Sequence, residues 1–448
     1  MTTKTLLKNI NIVNEGQIFT ADVLIDEGFI KKISPGIETA GVQIIDGTGK
    51  YLFPGIIDGQ VHFREPGLTH KGDLYTESKA AVAGGVTSFI DMPNTVPNVL
   101  TTELLYQKYE TAAKQSLANF GFFLGVNGDN IDTITQLDTS DILGISDDGL
   151  YFTGKGNLLA DNPGVMEKLF ANCKSIIAIH SEKEKIIEEN EKCYHKKYGA
   201  EIPVEFHPLI RSEDACYEAT KQAITLAHKY NARLHILHLS TEAETHLFRN
   251  DLPLKDKRIT TEVSVHHLWF SNNDYSSLGT LIKWNPAIKT ETDKKGLLQA
   301  LLDDRIDIIT TDHAPHTLEE KLQPYLRSMS GAPMVQHSLN IMLEFYKQGL
   351  ISLEKITEKM CHNPAIIYSI EKRGFIREGY FADLTIVDLT ANWMVSKENL
   401  LYKCGWSPLE GTTFGTKVTH TFVNGNLIYD NGIFFEEVKG KALTMYKK

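Results

Sequence analysis

Polar and apolar residues alternate through the first fifty positions in the manner of strands. Ile10, Ile12 and Val13 lead to a turn at Asn14-Glu15-Gly16, and Ala21-Asp-Val-Leu-Ile25 is joined to Phe29-Ile-Lys-Lys-Ile33 by Asp26-Glu-Gly28. The same texture returns at 382–387, and again at 418–423 and 427–429, which read as a hairpin across Asn424-Gly425. Residues 1–51 and 377–448 are therefore expected to build one small β domain from the two ends, with a tail. Over 52–376 the pattern changes to apolar runs of strand length alternating with helical stretches, which predicts parallel strands buried on both faces. Strands are expected at 52–63, 86–92, 119–126, 141–147, 175–180, 233–239, 259–265 and 306–311. Helices are expected at 72–84, 102–115, 163–172, 211–230, 242–249, 291–303 and 335–348, the fourth opening on Arg211-Ser-Glu-Asp214. The expected fold is α/β, a TIM-like (β/α)8 barrel with a small β-sandwich domain. The stretch 317–334, with Pro324, Gly331 and Pro333, reads as a long loop after the last strand, a usual place for a lid.

The chain of 448 residues, 42% hydrophobic and 23% charged, has the balance of a globular protein with a large core. Its formal charge of −11, without a basic stripe, argues against a nucleic-acid partner. Five cysteines with no C-x-x-C pair suggest neither a disulfide framework nor a cysteine zinc site and fit a reducing cytoplasm. No run of about 18 apolar residues is present, so no membrane partner is expected. Gly47-Thr-Gly-Lys50 fails the phosphate-loop spacing.

In a β/α barrel the chemistry sits at the C-terminal ends of the strands. The predicted strands end in Asp58-Gly-Gln60-Val-His62-Phe-Arg64, Asp91-Met-Pro-Asn94, Ser146-Asp147-Asp148-Gly149, His180-Ser-Glu182, His235-Ile-Leu-His238, His266-His267 and Thr311-Asp312-His313-Ala-Pro-His316. One histidine at a strand end is more often a structural residue than a ligand. Imidazoles and carboxylates at strand end after strand end are what zinc uses to polarise a carbonyl and supply a nucleophile near neutral pH.

Phe53-Pro-Gly-Ile-Ile-Asp-Gly-Gln-Val-His-Phe-Arg-Glu-Pro-Gly67, Asp91-Met-Pro-Asn-Thr95, Trp284-Asn-Pro-Ala-Ile288 and Thr311-Asp-His-Ala-Pro-His316 resemble class I dihydroorotases over nearly the whole chain. The resemblance implies one or two zinc ions per subunit. It puts His62 on the more buried metal, His180 and His238 on the second, and Asp312 on the first as ligand and proton shuttle. Arg64, Asn94, Asn285 and His316 are implied substrate contacts. The bridging ligand of the family is a carboxylated lysine or the second aspartate of an Asp-Asp-Gly turn; Gly144-Ile-Ser-Asp-Asp-Gly149 has no lysine, which leaves Asp148, ahead of Asp147. Gln60 stands where the family places a histidine, and a neutral amide is a poorer zinc ligand, so the buried metal is expected to bind more weakly.

The implied reaction is the reversible hydrolysis of (S)-dihydroorotate to N-carbamoyl-L-aspartate in pyrimidine biosynthesis, on a small-molecule substrate in the cytoplasm. A homodimer and an association with aspartate transcarbamoylase are the expected assemblies. Two rivals remain. A hydantoinase or allantoinase would have no use for Arg64, whose fork suits a carboxylate. A barrel that has lost its metal and serves as a scaffold is kept alive by Gln60 and the missing lysine.

Overall fold

The computed structural model describes residues 4–139, 142–148, 150 and 159–446. Gly149 and the start of the predicted strand 141–147 lie outside the described residues. The N-terminal strands are β1 (Thr5–Asn14), β2 (Gln17–Asp26), β3 (Phe29–Ser34), β4 (Gln43–Asp46) and β5 (Tyr51–Pro54). The parallel set follows as β6 (Ile56–Val61), β7 (Val86–Asp91), β8 (Asn119–Phe122), β9 (Leu124–Gly125), β10 (Gly144–Ser146), β11 (Ile176–Ile179), β12 (Leu234–Ile236), β13 (Ile259–Ser264) and β14 (Ile308–Thr310). The chain closes with β15 (Leu384–Asp388), β16 (Trp393–Met394), β17 (Thr413–Phe414), β18 (Lys417–Val423), β19 (Asn426–Asp430) and β20 (Ile433–Phe434).

Both chain ends enter one mixed sheet of nine strands, ordered β20-β19-β18-β15-β5-β1-β2-β3 with β4 beside β1. The junction is β5 against β15, with Leu384 opposite Pro54 and Ile386 opposite Leu52. The parallel strands run β6-β7-β8, continue from β9 through β14 in sequence order, and return to β6 by a parallel bridge between Val61 and His313. β6 and β7 are buried at every position, the polar residues Asp58, Gln60, Thr87, Ser88 and Asp91 included, as strands covered on both faces must be.

The run read as one strand over 52–63 is two. β5 belongs to the terminal sheet and β6 to the barrel, and the chain changes sheet at Gly55, whose N–H donates to Asp383 O at 2.7 Å. A side chain there would strike Thr87, its Cβ only 2.0 Å from Oγ1, so glycine is required for the crossing.

The helices follow their local signals. Glu213–Tyr230 is capped by Ser212, which accepts from Ala215 N, carries Glu213 and Asp214 in its first turn and ends at left-handed Asn231. It buries Ala219, Ala223 and Ala227, one stripe at a spacing of four. Helix 242–249 is shorter than expected, Glu242–Thr245. Glu184–Tyr198 is a further helix whose only buried side chain is Ile187, so no apolar stripe announces it. The loop 317–334 holds one short helix, Leu318–Lys321. No helix among the described residues is long and apolar enough to cross a membrane.

Candidate active site

Alternation along β6 sends Gln60 and His62 to the same side. His62 Nδ1 lies 2.7 Å from Asn94 Oδ1. An amide oxygen only accepts, so Nδ1 carries the proton and Nε2 faces Asp312 Oδ1 at 3.0 Å and Asp148 Oδ2 at 3.3 Å. Burial alone would depress His62, but the two carboxylates outweigh it and raise the ring to about 10.

Asp147 and Asp148 leave β10 with different duties. Asp147 is spent on backbone: its carboxylate accepts from Leu159 N at 2.8 Å and His180 N at 3.1 Å, and burial pushes it up to about 7. Asp148 turns to the histidines. Its Oδ1 is 3.6 Å from His180 Nδ1 and 3.9 Å from His238 Nε2, and against the effect of burial these rings with His62 hold it well below the carboxylate range.

At the end of β11, His180 Nε2 donates to Glu182 Oε2 at 2.7 Å, which leaves Nδ1 aimed at His238 Nε2, 3.0 Å away. Glu182 is fully buried yet stays ionised, because Arg211 and His180 overcome its desolvation. Arg64, His238 and Asp312 all have left-handed backbones, with φ of 70°, 34° and 44°. Such conformations cost roughly 1–3 kcal/mol each at residues other than glycine and persist where a side chain must be aimed.

Two buried clusters result, Asp148-His180-His238 and His62-Asp148-Asp312, with the donor atoms of each within 4.8 Å of one another and Asp148 common to both. Imidazole and carboxylate are the donors a zinc-like ion takes, and the convergence of ring nitrogens on one carboxylate fits a metal. Gln60 enters the cluster in an unforeseen role: its Nε2 donates to Asp148 Oδ2 at 2.9 Å, while its buried Oε1 has no hydrogen-bond partner among the described residues.

A small cavity opens over these groups, lined by His62, Arg64, Asn94, Asp148, Trp284, Asn285, Asp312 and the loop residues Ser330 and Gly331. Arg64 is 5% exposed. Its Nε donates to Pro315 O at 3.0 Å, and burial lowers it to about 10, still a cation. His316 stands behind this wall, between Arg64, Lys71 and Ser330 O, and does not line the cavity. His266 lies flat on Trp284, ring centres 4.2 Å apart, and outside both clusters.

Glu182, Arg211 and Lys71 received no role from the sequence. Glu182 carried one signal, its place two residues after His180; Arg211 and Lys71 carried none, because their partners are distant in the chain.

The sequence profile of the amidohydrolase family matches residues 51–428. The chain is 32% identical over 420 residues to the dihydroorotase of Methanosarcina mazei, covering 90% of each chain. It is 32% identical over 432 residues to that of Carboxydothermus hydrogenoformans, covering 95% of this chain and 97% of the relative. Among solved structures, the L-hydantoinase (dihydropyrimidinase) of Arthrobacter aurescens superposes with a TM-score of 0.90 at 24% identity, over 99% of this chain and all of the other. At that identity the likeness speaks for the TIM-barrel architecture alone.

Proposed function

This chain belongs to the amidohydrolase family, in its dihydroorotase branch, and from that premise we propose that it interconverts dihydroorotate and N-carbamoyl-aspartate by opening and closing the ring. The observation that carries the substrate is Arg64, a buried guanidinium in the wall of a cavity whose floor holds Asp148, Asp312 and His62. A guanidinium held out of water matches a ring carboxylate, and uncharged hydantoin and allantoin have none to offer.

Zinc suits this donor set: His180, His238 and Asp148 would hold one ion, and His62, Asp148 and Asp312 a second. When bound, it supplies Lewis acidity toward an amide carbonyl and a nucleophile available at neutral pH. The protein's own groups do the positioning. Asn94 spends its oxygen on His62, so its amide hydrogens remain for the substrate, beside Arg64 and Asn285. Asp312, held through Oδ1 by His62, moves the proton to the leaving ring nitrogen, and the reverse transfer serves ring closure. The barrel, from β6 onward, carries all of these groups; the nine-stranded sheet built from the two chain ends braces it.

The test is turnover of dihydroorotate by the metal-loaded protein, followed by loss of the ring absorbance. Hydrolysis of hydantoin or allantoin at a matching rate would transfer the assignment to a hydantoinase.

A further inference from the structure

We infer that Lys71 is a positioning residue for the substrate carboxylate, acting by setting which nitrogen of His316 carries the proton; the inference rests on the dihydroorotase reading. His316 is buried and met by donors on both sides, with Lys71 Nζ 3.0 Å from Nδ1 and Arg64 Nη2 3.1 Å from Nε2. Ser330 O, an acceptor, also lies 3.0 Å from Nε2. Ammonium and guanidinium groups only donate, a carbonyl only accepts, and a neutral imidazole has one lone pair.

Two tautomers compete. With the lone pair on Nε2, the ring would accept from Arg64 Nη2, but the lone pair would also face the Ser330 carbonyl, and the Nδ1–H would point at the ammonium of Lys71, 3.0 Å away, with Glu320 Oε2 farther off at 3.6 Å. With the lone pair on Nδ1, it accepts from Lys71, and Nε2–H donates to Ser330 O. The second arrangement satisfies Lys71 and Ser330 O and leaves only Arg64 Nη2 without an acceptor at the ring. A doubly protonated ring would face two cations, and burial beside Arg64 keeps the His316 pKa well below its usual value.

The unmet donor is the functional point. Arg64 Nε is fixed on Pro315 O, so the fork cannot swing away, and its remaining hydrogens are left for the cavity that Arg64 lines. Lys71 thus keeps Arg64 available to a carboxylate. Without it the ring can place its proton on Nδ1, toward Glu320 Oε2 at 3.6 Å, and accept from Arg64 at Nε2, an internal bond that competes with the substrate. Lys71 is itself held by Glu320 at 2.9 Å, on the short helix of the loop over the cavity.

The experiment combines long-range nitrogen–proton NMR of histidine-labelled, metal-loaded protein, in which His316→Gln identifies the signal, with calorimetric binding of orotate. The parent is expected to show an Nε2–H ring, and Lys71→Met an Nδ1–H ring with orotate bound about tenfold more weakly. KM for dihydroorotate should rise while kcat stays within about twofold, and Lys71→Arg should restore binding. An Nδ1–H ring in a parent that binds orotate overturns the role of Lys71 alone, as does unchanged orotate affinity in a folded Lys71→Met. Should that variant not fold, the parent's tautomer decides. An Nε2–H ring in a parent that binds no orotate overturns instead the carboxylate substrate on which the inference rests.

Discussion

Replacing Gln60 with histidine should convert one tight metal site and one weak one into two tight sites. In the parent, Asp148 Oδ2 already accepts a hydrogen bond from Gln60 Nε2 at 2.9 Å, with both side chains buried. A bond of this kind to a charged acceptor is worth roughly 1.5–3 kcal/mol net. An ion held by His62, Asp148 and Asp312 must compete for that oxygen, and the amide brings no charge in return. Affinity there should therefore lie below that of the His180-His238-Asp148 site by a factor of about 10–150. Histidine at position 60 removes the competing donor and adds an imidazole. The same change should destabilise the metal-free protein by about 1–3 kcal/mol, because Asp148 loses a partner, and zinc should more than restore it. Zinc titrated into metal-free protein against a chelator of known affinity measures both sites, and thermal melts with and without zinc measure the stability. Two equally tight sites in the parent would refute the reasoning.

Arg64→Met should cost about 2–5 kcal/mol in kcat/KM for dihydroorotate, the scale for breaking a desolvated charge pair; an unchanged kcat/KM would remove the carboxylate contact. His180→Ala and His238→Ala should each lower metal content, and full parental stoichiometry in both would sink the assignment of these ligands. Lys283, buried with its Nζ on Tyr325 O at 2.7 Å and Ser328 O at 2.6 Å, is depressed to about 7 by burial and then by Arg211. A lysine lowered in the folded state favours the neutral amine there, so its contribution is present above about 10.5 and is lost as pH falls to about 7. Melts should show Lys283→Met gaining on the parent between pH 9 and pH 6, on a scale set by about 1.4 kcal/mol per pKa unit, and a pH-independent difference contradicts this.

What the sequence disclosed was whatever depends on neighbours along the chain. Continuous apolar runs located the parallel strands, and Ser212 with its acidic first turn located the start of Glu213–Tyr230. Period two alone places Gln60 and His62 on one side. Where spacing is silent, the reading stopped. Gln60 was expected as a weak ligand, but hydrogen-bonding direction depends on what stands opposite, and Asp148 lies 88 positions away. Lys71 and His316 are separated by 245 positions, and nothing local marks them as partners. The boundary between β5 and β6 was missed because Leu52, Phe53, Ile56 and Ile57 read as one run, although Gly55 between them carries the chain from one sheet to another.

The pairing of β5 with β15 sets an order of events for the folding chain. β5 sits directly before the strand that bears Gln60 and runs into His62, yet its partner on one side is residues 384–387, and Gly55 waits on Asp383. At about 5–20 residues per second of synthesis, that partner emerges on the order of half a minute later. Until then the edge of β5 is open, and the cost of closing so long a loop is met only once the distant strand docks. The β/α units between can fold on local contacts meanwhile, so the segment that leads into the active-site strand is the one whose anchorage comes last. During that interval the nascent chain is exposed to pairing with other strands, a vulnerability that the finished enzyme does not reveal.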